Sequence, residues 1–555
     1  MKDKIRIGLL LDSYIQPYWI YRMFEEIKRQ DTVEIKLVVV NKQPVNANSS
    51  VLRKAVEQYK NIFYQLFRVL EKKISKPAPD AFALKDFSEI IGSADTAVME
   101  VTPIQKIHSD YFKDEDIEKI KQQDIDVFVR LGFRILRGKI LTAAKYGIWS
   151  YHHGDNKVNR GGPAGVWESI LRWKETGAVL QIITEELDGG NILNKTWSCT
   201  DNLFINRNIN SFYWNATSLL PRALKRLHDL GPENFFLQVA KENQHPVFYS
   251  NPLYTKPRNY EFSKLIAAKL FSIIKYSLWR IFNLEQWILL YSFKKGNDIA
   301  TSMFRYKKMV PPKTAFWADP CVVFENNKYY IFLEELIYKT NKGHISVIEI
   351  QPNGQYGKPQ IVLDKTYHLS YPFVFKDGDD WYMTPESADN STIELYRCTG
   401  FPYKWEFVMN LMENVYACDP TIYIKDGKYW LFANMRAYEG ASTSDELYLF
   451  YSDHLLTSKW KSHPLNPIVS DTKRARPAGR LFMQNNNLYR PSQDCSGKYG
   501  NAININHVVK MDEENYEEVV VNRIEANWDK KITRTHSLSS SNGLTVIDGF
   551  FHRRK

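Results

Sequence analysis

The sequence predicts an α/β domain followed by an all-β repeat domain. Three observations carry that expectation. Residues 1–230 alternate short apolar strand patterns with helical ones. After about Trp287 the helical period disappears and short strand-like runs take over. Those runs then repeat themselves at intervals of about fifty residues.

In the first part, Ile5–Leu11 is an apolar run with strand character, Tyr18–Arg29 is helical, and Val33–Val40 is a Val- and Ile-rich strand. Strand, helix and strand in close succession form a βαβ unit with a parallel sheet. A helical stretch follows over Ser50–Lys73, then a helix over Asp114–Gln123 and a strand over Val127–Leu131. A helix over Gly138–Lys145 leads into a strand over Gly147–Tyr151, and a further helix covers Asn208–Asp229.

Residues 262–290 are apolar and Lys-bearing, with Lys269, Lys275 and Arg280 among Leu, Ile, Phe and Trp. Two readings stand: connector helices packed on a neighbouring domain, or a helix lying on a membrane surface. Peripheral membrane association is therefore one expected partner.

The repeats are led by Ala318-Asp319-Pro320, Ser370-Tyr371-Pro372, Cys418-Asp419-Pro420 and Ala475–Gly479. Each lead is followed by a strand, a turn of Asn or Asp-Gly, and a Tyr- or Trp-rich strand, which is a hairpin signature. Four such units and a closing C-terminal piece describe a five-bladed β-propeller. The expected domains are 1–230, a helical connector at 231–285, and the propeller at 286–555.

Composition narrows the function classes. The chain is 44% hydrophobic and 25% charged, as globular proteins are, with a formal net charge of +11. That charge suits an anionic partner. No Arg/Lys array interleaves with aromatics, so nucleic acid is not an expected partner. The 5 cysteines include no CxxC pair, which suits a reducing compartment and predicts neither disulfide framework nor metal site. Met1–Gly8 lacks a signal-peptide layout, and a cytoplasmic location is expected.

Residues 147–193 carry Ser150-Tyr151-His152, Arg160-Gly161-Gly162-Pro163-Ala164, Glu175-Thr176-Gly177 and Leu187-Asp188-Gly189-Gly190. This order and spacing resemble the formyltransferase family, whose members act on methionyl-tRNA, glycinamide ribonucleotide and nucleotide-linked amino sugars. The resemblance covers roughly residues 5–230 and implies a Rossmann-like domain. It implies N10-formyltetrahydrofolate as the formyl donor and an amine, such as an amino sugar in surface-glycan biosynthesis, as acceptor. It implies that His152 shuttles the amine proton, with Asp188 orienting the ring. The run VFVRLGFRIL resembles the family's strand and turn beside the folate, which assigns Leu131, Gly132, Arg134, Ile135 and Leu136 to the donor pocket. Ser150 stands where the family carries Asn, and His153 where it usually carries Pro. A hydroxyl reaches less far than an amide, so oxyanion stabilisation rests on Ser150 with His153 as a candidate replacement donor. A degenerate, non-catalytic domain is the alternative.

The repeats resemble the five-bladed propellers of furanosidase-type glycoside hydrolases. They also resemble the propeller domain of glucosamine inositolphosphorylceramide transferase, on FWADPCVVF, SYPFVF, FPYKWEF, GKYWLFA, GRLFMQNNNLYRPSQDC and KYGNAI. The resemblance implies a sugar site with Asp319 as general base and Glu386 as acid. Tyr371 stands where the hydrolases carry Asp. Asp419, Arg476, Arg480, Arg490, Asp494 and His536 are further candidates for an anionic-sugar pocket. Asp319 and Asp419 have a second reading, as turn residues that bind backbone amides. The propeller is then a glycan-acceptor module, or a hydrolase- or glycosyltransferase-type module beside a non-catalytic first domain.

Overall fold

A computed structural model describes residues 3–43, 59–91, 96–296 and 299–555. It divides into two compact units. Unit 1 is 1–269 with 437–442, and unit 2 is 270–436 with 443–555.

Unit 1 is built on β1 (Ile5–Leu11), α1 (Tyr18–Gln30), β2 (Val33–Asn41), α2 (Ile62–Ile74) and β3 (Ala97–Val101). It continues through α3 (Asp114–Lys121), β4 (Val127–Arg130), β5 (Ile148–His152), α4 (Val166–Ile170), β6 (Glu175–Ile182) and β7 (Ile192–Cys199). The seven strands lie in the order β7-β6-β5-β4-β1-β2-β3. Neighbours from β5 to β3 run parallel, and β6 and β7 are antiparallel. β1 is apolar apart from Arg6 because it is central and covered on both faces. α1 buries Trp19, Ile20, Met23, Phe24 and Ile27 on one stripe and ends at Asp31 in the left-handed conformation.

Three expectations change here. The helix expected over Gly138–Lys145 is a 3-10 turn, Gly138–Thr142. The helix expected over Asn208–Asp229 is two helices, α5 (Ile205–Ala216) and α6 (Leu219–Leu230). At the break, the hydroxyls of Thr217 and Ser218 donate to the carbonyls of Tyr213 and Asn215, which competes with the helical ladder. Of the helical stretch expected over Ser50–Lys73, residues 50–58 lie outside the described residues. α7 (Pro232–Glu242) follows α6.

α8 (Asn259–Phe282) is followed directly by β8 (Asn283–Phe293). The apolar run at 262–290 is therefore not a pair of helices. Its last residues extend because Asn283–Phe293 pairs along its whole length with β13 (Leu544–Arg554), which buries Trp287–Tyr291.

Among the described residues unit 2 holds five antiparallel sheets. Sheet I joins the unit's first and last long strands, β8 and β13. Sheets II, III and IV are led by β9 (Ala315–Glu325), β10 (Ser370–Asp377) and β11 (Ala417–Lys425). Sheet V contains β12 (Asn487–Asp494). Buried clusters join I to II, II to III, III to IV, IV to V, and V to I.

Candidate functional site

The repeat tripeptides fall at one structural position. In β9, β10 and β11 the ladder register breaks across Ala318/Cys321, Ser370/Phe373 and Cys418/Thr421. Each bulge is occupied by Asp319, Tyr371 or Asp419 in the left-handed region, at φ 50°, 43° and 51°. Sheet V supplies Ala475-Arg476-Pro477 at the same point, and sheet I supplies Thr535-His536-Ser537. Asp319, Tyr371, Asp419, Arg476 and His536 are all buried, one from each sheet. The backbone crowds here. A Cβ on Gly479 (φ 127°) would lie 2.0 Å from the Leu538 carbonyl oxygen, which admits only glycine.

The charges within this ring are paired. Arg476 Nε donates to Asp419 Oδ2 at 2.6 Å, and its Nη2 lies 3.3 Å from Glu386 Oε2. Glu386 also accepts from the Asp419 amide at 3.0 Å. Gln493 Nε2 donates to Asp419 at 2.8 Å. His536 sits between two carboxylates, with Nε2 3.2 Å from Asp319 and Nδ1 2.8 Å from Asp548. Burial opposes charge on His536, yet Asp548 and Asp319 raise its pKa to about 10. Burial pushes Asp319 up, but His536 and the Ser537 hydroxyl at 2.7 Å outweigh it and hold the carboxyl below its usual range. Asp319, His536 and Asp548 are compact enough to hold a metal ion. With an imidazolium in the middle, both ring nitrogens bear protons, and the group stands as an ion triad.

Solvent reaches residues beside the ring. Tyr499 is 39% exposed. The Arg476 guanidinium lies 5.0 Å from the Tyr499 ring, which is 5.3 Å from the His536 ring. Half-buried His368 pairs with Glu334 at 3.2 Å, and this partner raises its pKa. A cavity of about 10 Å³ lies against Asp319, Tyr371 and Arg480.

The structure sorts the expected sugar-site residues. Asp319, Glu386, Asp419, Arg476 and His536 come together, with Tyr371 among them. Asp319 and Asp419 bind side chains with their carboxylates, not the backbone amides of the second reading. Arg480 donates to the Val374 carbonyl and lies over Phe373. Asp494 is not part of the ring. It lies next to inward-facing Gln493, so strand alternation turns it the other way, onto Arg523 at 2.6 Å. Arg490 is likewise spent on buried Glu518 at 2.7 Å. Sequence reasoning missed Gln493, Tyr499, Glu334, His368 and Asp548. Only Asp548 and Gln493 had a signal, as polar residues inside apolar strand runs.

In unit 1, His152 ends β5 and Asp188 follows β6. His152 Nδ1 lies 3.2 Å from Asp188 Oδ2. Nε2 donates to the Asn159 carbonyl at 2.7 Å, so both ring nitrogens are engaged. Burial opposes charge on His152, but Asp188 and that carbonyl raise its pKa. Asp188 is held below the usual carboxylate range despite burial, by His152, by Gln181 at 2.9 Å and by Arg130. Its side chain keeps 20% exposure, against 10% for His152.

Ser150 Oγ accepts a hydrogen bond from Arg130 Nη1 at 2.9 Å. Arg130 Nη2 donates to the Phe133 carbonyl, and its buried Nε has no protein partner. Arg130, which sequence reasoning missed, thus brings a cation to the position where the family's Asn is absent. His153 does not supply a replacement donor. It stacks on Tyr213 at 3.8 Å beside Trp19, and burial lowers its pKa to about 3. Arg160 pairs with Glu186 at 3.0 Å, apart from the His152–Asp188 pair.

The expected donor-pocket loop is pinned by two carboxylates. Phe133 N donates to Asp12, and Arg134 binds Asp110 through its amide and guanidinium. A Cβ on Gly132 would lie 2.3 Å from the Asp12 nitrogen. Leu131 and Ile135 are half-buried. Leu136, 1% exposed, packs in the core and does not face a ligand.

A family model described as "Glucosamine inositolphosphorylceramide transferase 1, N-terminal" matches residues 296–544. The glucosamine inositolphosphorylceramide transferase 1 of Oryza sativa subsp. japonica is 37% identical over 210 residues, which is 37% of this chain and 28% of that protein. The Arabidopsis thaliana protein of the same name is 33% identical over 258 residues, 43% of this chain and 34% of that protein. The chain thus spans 28–34% of the length of these curated relatives. Among solved structures, a family 117 glycoside hydrolase from Zobellia galactanivorans is similar at 12% identity and TM-score 0.32, over 48% of this chain and 90% of that one. A glycinamide ribonucleotide transformylase 1 from Symbiobacterium toebii is similar at 15% identity and TM-score 0.26, over 41% of this chain and 88% of that one.

Proposed function

We propose that the chain is a glycan-biosynthesis transferase whose unit 2 is a closed five-bladed propeller that binds a saccharide at its central ring. One observation carries this reading: five sheets each deliver one buried polar side chain to one ring, three of them at matching bulges, where the charges pair and neighbouring Tyr499 and His368 meet solvent. The curated relatives are named for glucosamine and inositolphosphorylceramide, which supports an amino sugar, presented on a lipid, as the ligand class. Glu386 suits the ammonium of such a sugar, Arg476 and His368 suit its hydroxyls, and exposed Tyr499 offers an aromatic face for its apolar side. Tyr371 in place of the hydrolases' second carboxylate supports binding over hydrolysis. Calorimetric titration of a glucosamine-bearing oligosaccharide into the full chain tests this, with Tyr499→Ala expected to weaken binding.

The His152–Asp188 contact favours a second activity, in unit 1. N10-formyltetrahydrofolate would supply a formyl group to the sugar's amine. Arg130 Nε fits such a donor, because it is a buried N–H donor that lacks an acceptor and suits the developing oxyanion. Leu131, Gly132 and Ile135 would hold the pterin side. Asp188, the more exposed partner, takes the amine proton and returns it to N10 as the tetrahedral adduct collapses and tetrahydrofolate leaves, while His152, whose pKa this contact raises, fixes the carboxylate. Formyl incorporation into the oligosaccharide by the full chain, abolished in Asp188→Asn, is the expected result.

A further inference from the structure

We propose that the segment Leu270–Phe282 of α8 is an interfacial anchor that lays unit 2 on an anionic lipid bilayer. Leu270, Phe271, Ile274, Leu278, Ile281 and Phe282 are all more than half exposed. At about 100° per residue they fall within an arc of about 120°. The opposite side is the one that holds the body of the unit. Tyr276 donates to Glu285, the Trp279 ring lies 4.8 Å from His552, and the Trp279 carbonyl accepts from Asn283 at 2.8 Å. The helix is thus seated by its polar-aromatic side, and its apolar side is turned out.

Charge chooses the occupant. Lys275 stands at one edge of the apolar arc, while Arg280 lies further round, 4.0 Å from Glu285, and both are exposed. From 262 to 284 the sequence carries no Asp or Glu and four cations, Lys264, Lys269, Lys275 and Arg280.

 An apolar stripe with an exposed cation at its edge, and no carboxylate along it, matches a surface of acyl chains beneath anionic headgroups. Among the described residues no helix is long and apolar enough to cross a membrane, so the geometry is that of a helix lying on the surface. This goes beyond saccharide recognition and does not depend on it.

The test is co-sedimentation of the full chain with vesicles of phosphatidylcholine, with and without phosphatidylserine. The chain should pellet with the phosphatidylserine vesicles, and less so in high salt. Phe271→Ser/Ile274→Ser/Leu278→Ser should lower the bound fraction by more than roughly tenfold. Lys275→Gln/Arg280→Gln should remove the preference for phosphatidylserine. Phe271→Ser alone should give a several-fold loss and serves if the triple variant fails to fold. Three results would overturn the proposal: no pelleting with either vesicle, pelleting unchanged in the Ser variants, or a dimer in sedimentation velocity that the Ser variants dissociate without any vesicle binding.

Discussion

Arg476 Nε meets Asp419 Oδ2 at 2.6 Å, and the two residues hold the same position in neighbouring repeats. One repeat has exchanged its carboxylate for a guanidinium, so the ring neutralises its own charge in a place that water barely enters. Removing either partner alone leaves the other buried and unpaired. Arg476→Met should therefore destabilise unit 2 by about 3–5 kcal/mol. Arg476→Met/Asp419→Leu should recover much of that loss. Denaturant unfolding of the two variants checks both values.

His536 makes unit 2 sensitive to alkali. Its pKa is raised to about 10, above the ordinary value of 6.5. A raised cationic group contributes its full stability below its unfolded pKa and loses it as pH climbs to its folded one. Stability should thus fall between about pH 6.5 and pH 10. His536→Leu should be less stable at neutral pH and should lack this alkaline slope. Urea midpoints measured across that range decide the matter.

Arg130 Nη1 donates to Ser150 Oγ where the resemblance expects an amide. If it stabilises the oxyanion, Arg130→Met should lower kcat for formyl transfer by about 10²–10³, with little change in KM. Ser150→Asn, which restores an amide, should return part of that loss in the Arg130→Met background. Steady-state kinetics with an amino-sugar acceptor provide the readout.

Asp188 and His152 should set an acid limb. Asp188 is held below the ordinary carboxylate range, so formyl transfer should stay active into mildly acidic solution and fall only below that range. In His152→Gln the carboxylate loses its main counter-charge and its pKa rises, which moves the acid limb to higher pH. A pH–rate profile of both proteins checks the direction.

Much of this was legible in the sequence, for physical reasons. β1 and β2 announce themselves because central parallel strands carry long apolar runs, here Ile7–Leu11 and Leu37–Val40. The tripeptides mark the ring because a bulged, left-handed position tolerates few residues and recurs with each repeat. His152 and Asp188 come within 3.2 Å as the resemblance implied. What stayed hidden depends on parity and on distant contacts. Asp494 was expected in the ring, yet its neighbour Gln493 is the one that faces inward, a difference of one residue in a strand of period two. Thr535-His536-Ser537 lacks the proline of the other repeats, so its membership shows only in three dimensions. Arg130 ends an apolar strand and reads as a surface cation until the Ser150 hydroxyl is seen beside it. The strand beginning at Asn283 was read as helix because an apolar run without alternation fits either state, and its partner lies at the far end of the chain.

The most direct measurement is isothermal titration of a glucosamine-bearing oligosaccharide into the full chain and its Tyr499→Ala and Glu386→Gln variants. Saccharide recognition at the ring predicts saturable binding, weakened by roughly tenfold or more in each variant, as the loss of one stacking or charged contact requires. No binding to the full chain, or binding that both variants retain in full, would contradict it.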